Sequence, residues 1–285
     1  MTTIRQAVPS DLPAMAELAA GHQADPARHC LYLSVDADAI AEEVAELDDW
    51  ASFTAVAEVD GSVVGWLFGE PDPDMGRVWW WGPFAPLDSW AEVADQLYHF
   101  ARDLLGDTYA EEEAAADARS DLIAAWAARH GFAADPGSVL LRREPTPAAV
   151  DPRVRPMTPA DHDVVKALHD IAFPGTHTPP AMLVASEHPR LVIEEAGRVV
   201  GYVAYEMQPD GSGYIDYLAV DEQLRGRGLG RGLVSTATAD LVDRGVTYAH
   251  LTVREANASA RALYSSLAYG EERIAIPYRR GFTLP

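Results

Sequence analysis

The sequence predicts an α/β protein that contains two tandem copies of one fold. Residues 4–11 (I-R-Q-A-V-P-S-D) match residues 154–161 (V-R-P-M-T-P-A-D) at an offset of 150. Residues 60–66 (D-G-S-V-V-G-W) match residues 196–202 (A-G-R-V-V-G-Y) at an offset of 136. Each copy is expected to open with a strand and a capped helix, and to continue into a hairpin with a glycine in its turn. Segments that recur in the same order indicate a duplicated fold.

The chain length and a proline-rich stretch indicate where the copies divide. A chain of 285 residues with 48% apolar side chains is long enough for two packed cores. The stretch from Glu144 to Pro152 (E-P-T-P-A-A-V-D-P) cannot continue a helix or a central strand, so we interpret it as a linker. We therefore predict one domain over residues 1–148 and a second over residues 149–285.

The charge is strongly negative and unevenly distributed. The chain carries a net charge of −22, with −19 in residues 1–150 and −3 in residues 151–285. This surface argues against binding to nucleic acid or to anionic membranes, which both require basic groups. It is compatible with attraction of a cationic amine, and equally with a role in solubility alone.

Three features favour a cytoplasmic protein. The sequence has no run of about 18 apolar residues that could span a membrane. Its first residues show neither the basic region nor the apolar region of a secretion signal. Cys30 is the only cysteine, so no internal disulfide can form, and we expect a buried thiol rather than a nucleophile.

The most informative segment is 218–232, L-A-V-D-E-Q-L-R-G-R-G-L-G-R-G. A β-type run from Gly213 to Val220 leads into it, and an apolar pattern with helical spacing starts at Leu229. Glycines let backbone N–H groups turn toward a ligand, and a helix N-terminus adds partial positive charge. Because arginines also stand at positions 225, 227 and 231, the expected ligand is a phosphate.

Two common phosphate loops do not fit this segment. A dinucleotide loop G-x-G-x-x-G fails because Arg231 and Leu233 occupy its sixth position in the two possible frames. A nucleoside-triphosphate loop needs a lysine, and the segment has none. Arg225 to Gly230 instead fits R-x-x-G-x-G, and directly after a strand this resembles the acyl-CoA pyrophosphate loop of the GCN5-related N-acetyltransferase (GNAT) family.

A second motif downstream extends the resemblance. Residues 257–270 read N-A-S-A-R-A-L-Y-S-S-L-A-Y-G, similar to the family's N-x-x-A-x-x-L-Y-x-x-x-G-F. The helical spacing places Asn257, Arg261 and Tyr264 on one helix face. Ala268 replaces the family's usual glycine, a departure that concerns the turn after the helix and removes no catalytic group.

The resemblance implies a fold and a reaction. For each copy it implies a mixed, mostly antiparallel sheet flanked by helices, and for the chain it implies acetyl-CoA as co-substrate. The implied reaction is direct acetyl transfer to an amine within a ternary complex. This reaction needs a neutral amine, a stabilised oxyanion and a proton for the departing thiolate. The tandem layout also resembles the mycothiol synthases of actinobacteria, although no residue signature selects that enzyme.

The same resemblance assigns roles to individual residues. The N–H of Leu218 would face the thioester carbonyl, and the backbone of Ala219 and Val220 would pair with the pantetheine arm. Tyr264 would donate a proton to the thiolate, and Asn257 would contact CoA or cap its helix. The phosphates would be held by consecutive loop residues, whose three arginines the sequence does not rank: Arg225, Gly226, Arg227, Gly228, Leu229, Gly230 and Arg231.

Two carboxylates are candidates for the general base, and the sequence does not decide between them. Strand alternation predicts that Tyr214, Asp216, Leu218 and Val220 share one face, so Asp216 is expected to point toward the reaction centre. There it would take the proton of the amine, if burial raises its pKa, or bind the ammonium group. Glu206, at the end of the preceding strand, is the second candidate. For both residues the alternative is an ordinary solvated strand end.

The substrate is expected under the irregular segment from Phe173 to Pro189, in which His177 is the histidine predicted to touch it. The spacings of the nearby histidines match no ordinary zinc pattern, so no metal is predicted. These histidines are His162, His169, His177 and His188.

The first copy lacks the chemistry of the second. Its strand Arg77 to Phe84 is followed by A-P-L-D-S-W-A-E-V, which holds neither a glycine loop nor an arginine. Ala127 stands where the second motif has its tyrosine. We therefore predict a non-catalytic first domain. The three tryptophans Trp79 to Trp81 are expected to alternate between the faces of a packed strand, in preference to stacking on a ligand.

The sequence thus predicts an N-acetyltransferase whose second domain acetylates a primary amine of a small molecule. One alternative is a non-catalytic acyl-CoA-binding or scaffold protein, which the presence of Tyr264 and an intact loop disfavours. A further alternative is acetylation of protein N-termini or lysines. The segment over residues 173–189 argues for a closed site and hence against a peptide groove.

Overall fold

The computed structural model of the chain describes residues 2–174, 176, 178–208 and 210–281. The chain forms two compact units. The first unit contains the residues up to Gly137 and those from Ile274 onward, and the second runs from Ser138 to Arg273.

The helices and strands follow in chain order. The elements up to Gly137 are β1 (Thr3–Gln6), α1 (Leu12–Gln23), α2 (Ala37–Ala45), β2 (Thr54–Val59), β3 (Ser62–Asp72), β4 (Arg77–Phe84), α3 (Trp90–Leu105), β5 (Glu111–Asp117), α4 (Asp121–Arg129) and β6 (Ala133–Ala134). The later elements are β7 (Ser138–Arg143), β8 (Val154–Pro156), α5 (His162–Ala172), α6 (Pro180–Ala185), β9 (Arg190–Glu195), β10 (Arg198–Met207), β11 (Gly213–Val220), α7 (Leu229–Asp243), β12 (Ala249–Arg254), α8 (Ala258–Ser265) and β13 (Gly270–Arg280). Among the described residues, no helix has both the length and the apolar character that crossing a bilayer requires.

The sheet of the first unit has the strand order β1-β2-β3-β4-β5-β13. Its neighbours pair antiparallel except β4 and β5, which are parallel. On one face α1 and α2 bury Met15 and Ile40 against Trp66. On the other face α3 and α4 bury Leu97 and Trp126. The sheet is therefore packed on both sides.

The sheet of the second unit has the corresponding order β8-β9-β10-β11-β12-β7, in which only the β11–β12 pairing is parallel. On one face α5 and α6 pack Val165 and Leu183 against Tyr202. On the other face Leu241 of α7 lies against Gly213, where a side chain on the strand would collide with it. The predicted mixed, mostly antiparallel sheets flanked by helices are confirmed.

Each unit completes its sheet with a strand from the other side of the predicted linker. β7 precedes that linker, yet all six of its residues pair with β12. β13 lies at the C-terminal end, yet its residues 275–280 pair with β5. Arg279 of β13 adds ion pairs with Glu113 (2.7 Å) and Asp135 (2.5 Å) in the first unit. The compact units consequently do not coincide with two contiguous halves of the sequence.

The three consecutive tryptophans alternate between the faces of β4, as predicted. Trp80 is fully buried beneath α3, and its Nε1 donates a hydrogen bond to Glu112 (3.0 Å). Trp79 and Trp81 are half-buried on the opposite face, where both rings contact Tyr32. Packing within the first unit accounts for all three rings.

Replacing Tyr278 of β13 by alanine is expected to destabilise the first unit. The ring is buried in the core that contains Trp80 and Trp126, and removal of a buried aromatic ring typically costs about 3–5 kcal/mol. All seven tryptophans lie in the first unit, so tryptophan fluorescence during urea unfolding follows this unit. Tyr278→Phe keeps the ring and serves as the control. An unchanged midpoint for Tyr278→Ala would contradict the place of β13 in this core.

Candidate functional site

The loop after β11 forms a backbone anion site at the start of α7. Gly226 and Gly228 have left-handed backbone conformations, with φ of 79° and 77°, which residues with side chains disfavour. Gly228 is the N-cap of α7, and no side chain caps the helix there. The N–H of Gly232 donates to the carbonyl of Gly228 (3.0 Å). The N–H groups of residues 229–231 therefore lie outside the hydrogen-bond pattern of the helix and can bind an anion.

β11 and β12 separate after three paired residues. The parallel pairing described between them runs from Gly213 with Ala249 to Ile215 with Leu251. β11 nevertheless stays paired with β10 as far as Val220. The edge of β11 that turns away from β10 is therefore open to the gap. A strand edge of this kind offers N–H and C=O groups to an extended ligand.

The strand edge and the anion site meet in one cavity of about 440 Å³. Phe173 lines it at the end of α5, and Leu229 lines it at the start of α7, so the cavity passes through the gap in the sheet. Its remaining lining residues are Ala172, Leu218, Ala219, Val220, Arg225, Gly226, Gly228, Gly230, Arg231, Asn257, Ser259, Ala260 and Leu263. The structure thus brings together the predicted ligand residues, except Arg227 and Tyr264.

Sequence reasoning missed the lining residues that α5 and α8 contribute. Ala172 had no motif to mark it, and Phe173 was expected at the start of the substrate segment and not in this cavity. Ala260 and Leu263 follow Asn257 at intervals of three residues, so a helical projection from Asn257 could have found them.

The three loop arginines differ in position, although the sequence did not rank them. Arg225 and Arg231 line the cavity. Arg225 pairs with Glu222 at 3.1 Å, and Arg231 donates to the hydroxyl of Ser266 at 2.7 Å. Arg227 instead pairs with a carboxylate of β9 at 3.3 Å. Because surface ion pairs contribute only about 0–1 kcal/mol, Arg225 and Arg231 can exchange their present partners for a phosphate.

Helix α8 begins and ends as its motif predicts. The side chain of Asn257 caps its N-terminus by accepting a hydrogen bond from the N–H of Ala260 (3.1 Å). Ala268 adopts a left-handed conformation with φ of 65°, which explains why the family favours glycine there. The turn still closes, because the N–H of Tyr269 donates to the carbonyl of Tyr264 (3.1 Å). Ala268 therefore adopts the conformation that a glycine would take, and the hydrogen bond that closes the turn is present.

Tyr264 is buried and does not belong to the described residues that line the cavity. Its ring centroid lies 6.1 Å from that of Tyr269. Burial raises the pKa of Tyr264 well above the usual tyrosine value, and Tyr269 and Tyr214 raise it further. The phenol consequently remains protonated at neutral pH, which is the state that a proton donor requires.

A second cavity, of about 320 Å³, contains both candidate bases. Glu206 and Asp216 line it together with residues of α6 and of the segment before β9. The imidazole Nε2 of His188 lies 3.0 Å from Glu206. Among the described residues, no group of three or more His, Cys, Asp or Glu side chains could hold a metal ion.

A β-bulge puts Asp216 and Leu218 on opposite faces of β11, whereas alternation predicts one common face. Ala204 pairs with Tyr217 and Tyr205 pairs with Ile215, so Asp216 is the extra residue of the bulge. Asp216 and Tyr217 both face α5 and α6, whereas Leu218 lies beside α7. The prediction that Asp216 shares a face with Leu218 is therefore wrong, because a bulge shifts the alternation by one residue.

The described part of the predicted substrate segment is tied to the sheet through His169. This histidine is fully buried, its Nε2 lies 2.9 Å from the carbonyl oxygen of Thr178, and its Nδ1 lies 2.5 Å from the hydroxyl of Tyr202. Because a carbonyl only accepts, Nε2 carries the proton in this arrangement. The hydroxyls of Thr176 and Tyr217 lie 2.9 Å apart. His177, which was predicted to touch substrate, lies outside the described residues.

The corresponding gap in the first unit is filled by its own chain. The parallel pairing between β4 and β5 ends at Trp80 and Ala114. Residues 29–31 then run along the rest of β5, where Cys30 forms an antiparallel bridge with Ala116. Backbone hydrogen bonds of 3.1 and 3.2 Å flank this bridge. Residues 29–31 thus occupy the gap between β4 and β5 by pairing with β5, the counterpart of β12.

Gln23 holds this filling segment in place. Its side chain is buried; the amide nitrogen donates to the carbonyls of Cys30 (2.7 Å) and Leu33 (2.9 Å), and its oxygen accepts from the N–H of Cys30 (2.8 Å). Cys30 is also buried, which raises the pKa of its thiol. A buried thiol with a raised pKa is a poor nucleophile.

Comparisons with known proteins agree with this architecture. A family model described as acetyltransferase (GNAT) family matches residues 162–269. The chain is 37% identical to a mycothiol acetyltransferase of Thermobispora bispora over 93 residues, which are 30% of this chain and 32% of that protein. It is 32% identical to an uncharacterised N-acetyltransferase of Methanocaldococcus jannaschii over 130 residues, which are 44% of this chain and 82% of that protein.

A solved structure extends the likeness to nearly the whole chain. A GCN5-related N-acetyltransferase from Sphaerobacter thermophilus superposes with a TM-score of 0.73, covering 98% of this chain and 95% of that one, at 20% sequence identity. This likeness shows a shared fold. The chain spans about a third of the length of the mycothiol acetyltransferases that it matches.

Gln23→Ala is expected to lower the stability of the first unit by about 2–4 kcal/mol. The substitution removes three buried hydrogen bonds and leaves backbone groups without partners. Urea unfolding followed by tryptophan fluorescence measures the loss. Gln96→Ala is the matched control, since Gln96 is exposed on α3 and its side chain donates to exposed Glu92 (3.3 Å). If both variants lose less than about 0.5 kcal/mol, residues 29–34 are not held by Gln23.

Proposed function

Since the chain belongs to the GNAT family of acetyltransferases, we propose that it transfers an acetyl group from acetyl-CoA directly to an amine of a small molecule, with both substrates bound to the second unit. The observation that carries this proposal is the cavity that joins the open edge of β11 to the N-terminus of α7. The second cavity supports the choice of an amine, because it presents the carboxylates of Glu206 and Asp216.

The residues of the first cavity suit the parts of acetyl-CoA. The N–H groups at the start of α7 would bind the pyrophosphate, with Arg225 and Arg231 as charged partners. The backbone of Leu218 to Val220 would pair with the amides of the pantetheine arm as an added strand would. Gly230 lines the cavity, and a Cβ at this position would lie 3.4 Å from Leu263. A larger side chain there would narrow the cavity.

Two groups would serve the chemistry of the thioester. Acetyl-CoA supplies an acetyl group that is activated as a thioester. The N–H of Leu218, at the open edge of β11, would donate to the carbonyl oxygen where negative charge develops. Tyr264 would supply the proton for the thiolate, consistent with a raised pKa that keeps its phenol protonated.

Of the two carboxylates, Asp216 is proposed as the base. The bulge places it next to Tyr217, whose ring lies 4.9 Å from that of Phe173. Phe173 lines the first cavity, so Asp216 lies near the boundary between the two proposed substrates. Glu206 is proposed to bind substrate, since the imidazole Nε2 of His188 already lies 3.0 Å from its carboxylate.

The first unit is proposed to be non-catalytic. Residues 29–31 pair with β5 and so fill the gap between β4 and β5 in which a pantetheine arm would have to lie. The chain after β4 continues through Pro86 into α3 without a glycine loop. We therefore propose one acetyl-CoA site for each chain.

Calorimetry on the full chain is expected to give one acetyl-CoA site, which Gly228→Val removes. Valine at a φ of 77° is strained and would distort the loop. Arg231→Ala should weaken binding about tenfold through the loss of one charge-assisted contact. Arg244→Ala is the control, because Arg244 lies just beyond the far end of α7 and pairs with Asp240. Unchanged affinity in Gly228→Val would overturn the loop assignment, and the absence of binding to the unaltered chain would favour a different function.

Tyr264→Phe is expected to lower kcat by about 10²- to 10⁴-fold while leaving acetyl-CoA affinity within about threefold. The control is Tyr269→Phe, since the hydroxyl of Tyr269 is bonded to Thr238 (2.8 Å) in the core. Because the pKa of Tyr264 is raised, its donor form persists as the pH increases. The unaltered enzyme should therefore show no loss of kcat from its ionisation below about pH 10. Normal turnover in Tyr264→Phe would exclude its role as proton donor.

A further inference from the structure

The charge pattern of the second cavity bears on the kind of amine that fits it. The wall is formed by α6, by the segment before β9 and by the ends of β10 and β11. Its acidic residues are Glu206 and Asp216, and its basic residues are His188 and Arg190. Thr178 and Met182 are among its neutral residues. The class of ligand therefore depends on which of these charges is available.

Arg190 is already engaged with the backbone. Its two terminal nitrogens donate to the carbonyls of Leu183 and Ser186, and burial lowers its pKa. Only its Nε–H is buried without a hydrogen-bond partner among the described residues. Arg190 thus stabilises the end of α6 and does not present the parallel pair of N–H groups that clamps a carboxylate.

His188 marks a position for a hydrogen-bond donor beside the carboxylate of Glu206. Its Nε2 lies 3.0 Å from Glu206, yet 61% of its side chain is exposed, against 27% for Glu206. Gln208 also donates to Glu206 (2.5 Å). An ammonium group of a ligand can replace so exposed an imidazole without leaving Glu206 unpaired, since the imidazole would move into water.

Building on the function proposed above, we propose that the acceptor is a compact diamine, with the reacting nitrogen at Asp216 and the second ammonium at Glu206 in the place of His188. The reacting nitrogen forms the new C–N bond while the C–S bond of the thioester breaks. Of the two protons that this nitrogen loses, one passes to solvent through Asp216. The other replaces the proton that Tyr264 gives to the thiolate. The products are an N-acetylated monocation and CoA.

Initial rates with the full chain, acetyl-CoA and matched acceptors test this proposal. The acceptors are 1,3-diaminopropane, 1,4-diaminobutane and 1,5-diaminopentane, each paired with the monoamine and the ω-amino acid of equal length. We expect kcat/KM of one or more diamines to exceed that of the matched monoamine by at least about tenfold, because a second charged contact is gained. The ω-amino acids should be poorer than the monoamines, because their carboxylates would face Glu206.

Glu206→Gln is expected to reduce the preference for the diamine over the monoamine to about twofold or less. Glu187→Gln removes an equal charge from the exposed neighbour of His188, which does not line the cavity, and should keep the preference. Retention of the preference in Glu206→Gln would overturn the assignment of the second ammonium to this residue.

The outcomes separate this inference from the function on which it rests. If acetyl-CoA does not bind, the proposed function fails and the inference fails with it. If acetyl-CoA binds but monoamines match the diamines, or none of the amines is acetylated, the diamine inference alone is wrong. A preference for the ω-amino acids would likewise overturn it, and would assign the Nε–H of Arg190 to a substrate carboxylate.

Discussion

The separation of β11 from β12 after Ile215 and Leu251 is the feature on which the site of the second unit depends. Backbone groups at a strand edge require partners, and here they face a cavity instead of a neighbouring strand. The N-terminus of α7 lines this cavity on one face of the sheet, and Phe173 lines it on the other face. The hydrogen-bonding capacity of the cavity is therefore largely that of the main chain, with loop arginines supplying the charge.

The two copies satisfy this requirement in different ways. In the first unit, residues 29–31 occupy the gap between β4 and β5 by pairing with β5, and the side chain of Gln23 holds them in place. In the second unit, the corresponding gap between β11 and β12 holds an open cavity. The difference between the copies is thus more than the loss of a glycine loop. Because the segment in the first unit is part of a buried core around Cys30, a ligand would have to displace packed residues to enter there.

Features fixed by short segments could be predicted from the sequence. Gly226 and Gly228 have the left-handed conformations that their loop requires, Asn257 caps α8, and Trp80 is buried between its more exposed neighbours. Each of these depends on local chain geometry or on simple alternation. Ala268 shows the limit of such rules, because it adopts the conformation of the glycine that it replaces.

Features set by the pairing of distant segments could not be predicted in this way. β7 lies before the linker, yet it pairs with β12 of the second unit. β13 lies at the C-terminal end, yet it pairs with β5 of the first unit. Similarly, the bulge at Asp216 follows from the register between β10 and β11. No residue type demands it, since the run Gly213–Val220 is compatible with an unbroken strand. The one sequence feature that could have indicated the bulge is an acidic residue, Asp216, in the middle of an otherwise apolar strand.

The bulge also gives the site its electrostatic order. It puts Asp216 on the face of α5 and α6 and Leu218 on the opposite face, beside α7. The carboxylates of Glu206 and Asp216 therefore lie on one face of the sheet. The loop arginines and the N–H groups at the start of α7 lie at the other end of the gap. In a chain with a net charge of −22, a cation approaches readily, whereas an anion requires a concentrated local field. Without the bulge, alternation would put Asp216 and Leu218 on one face of the sheet, and this separation of charges would be lost.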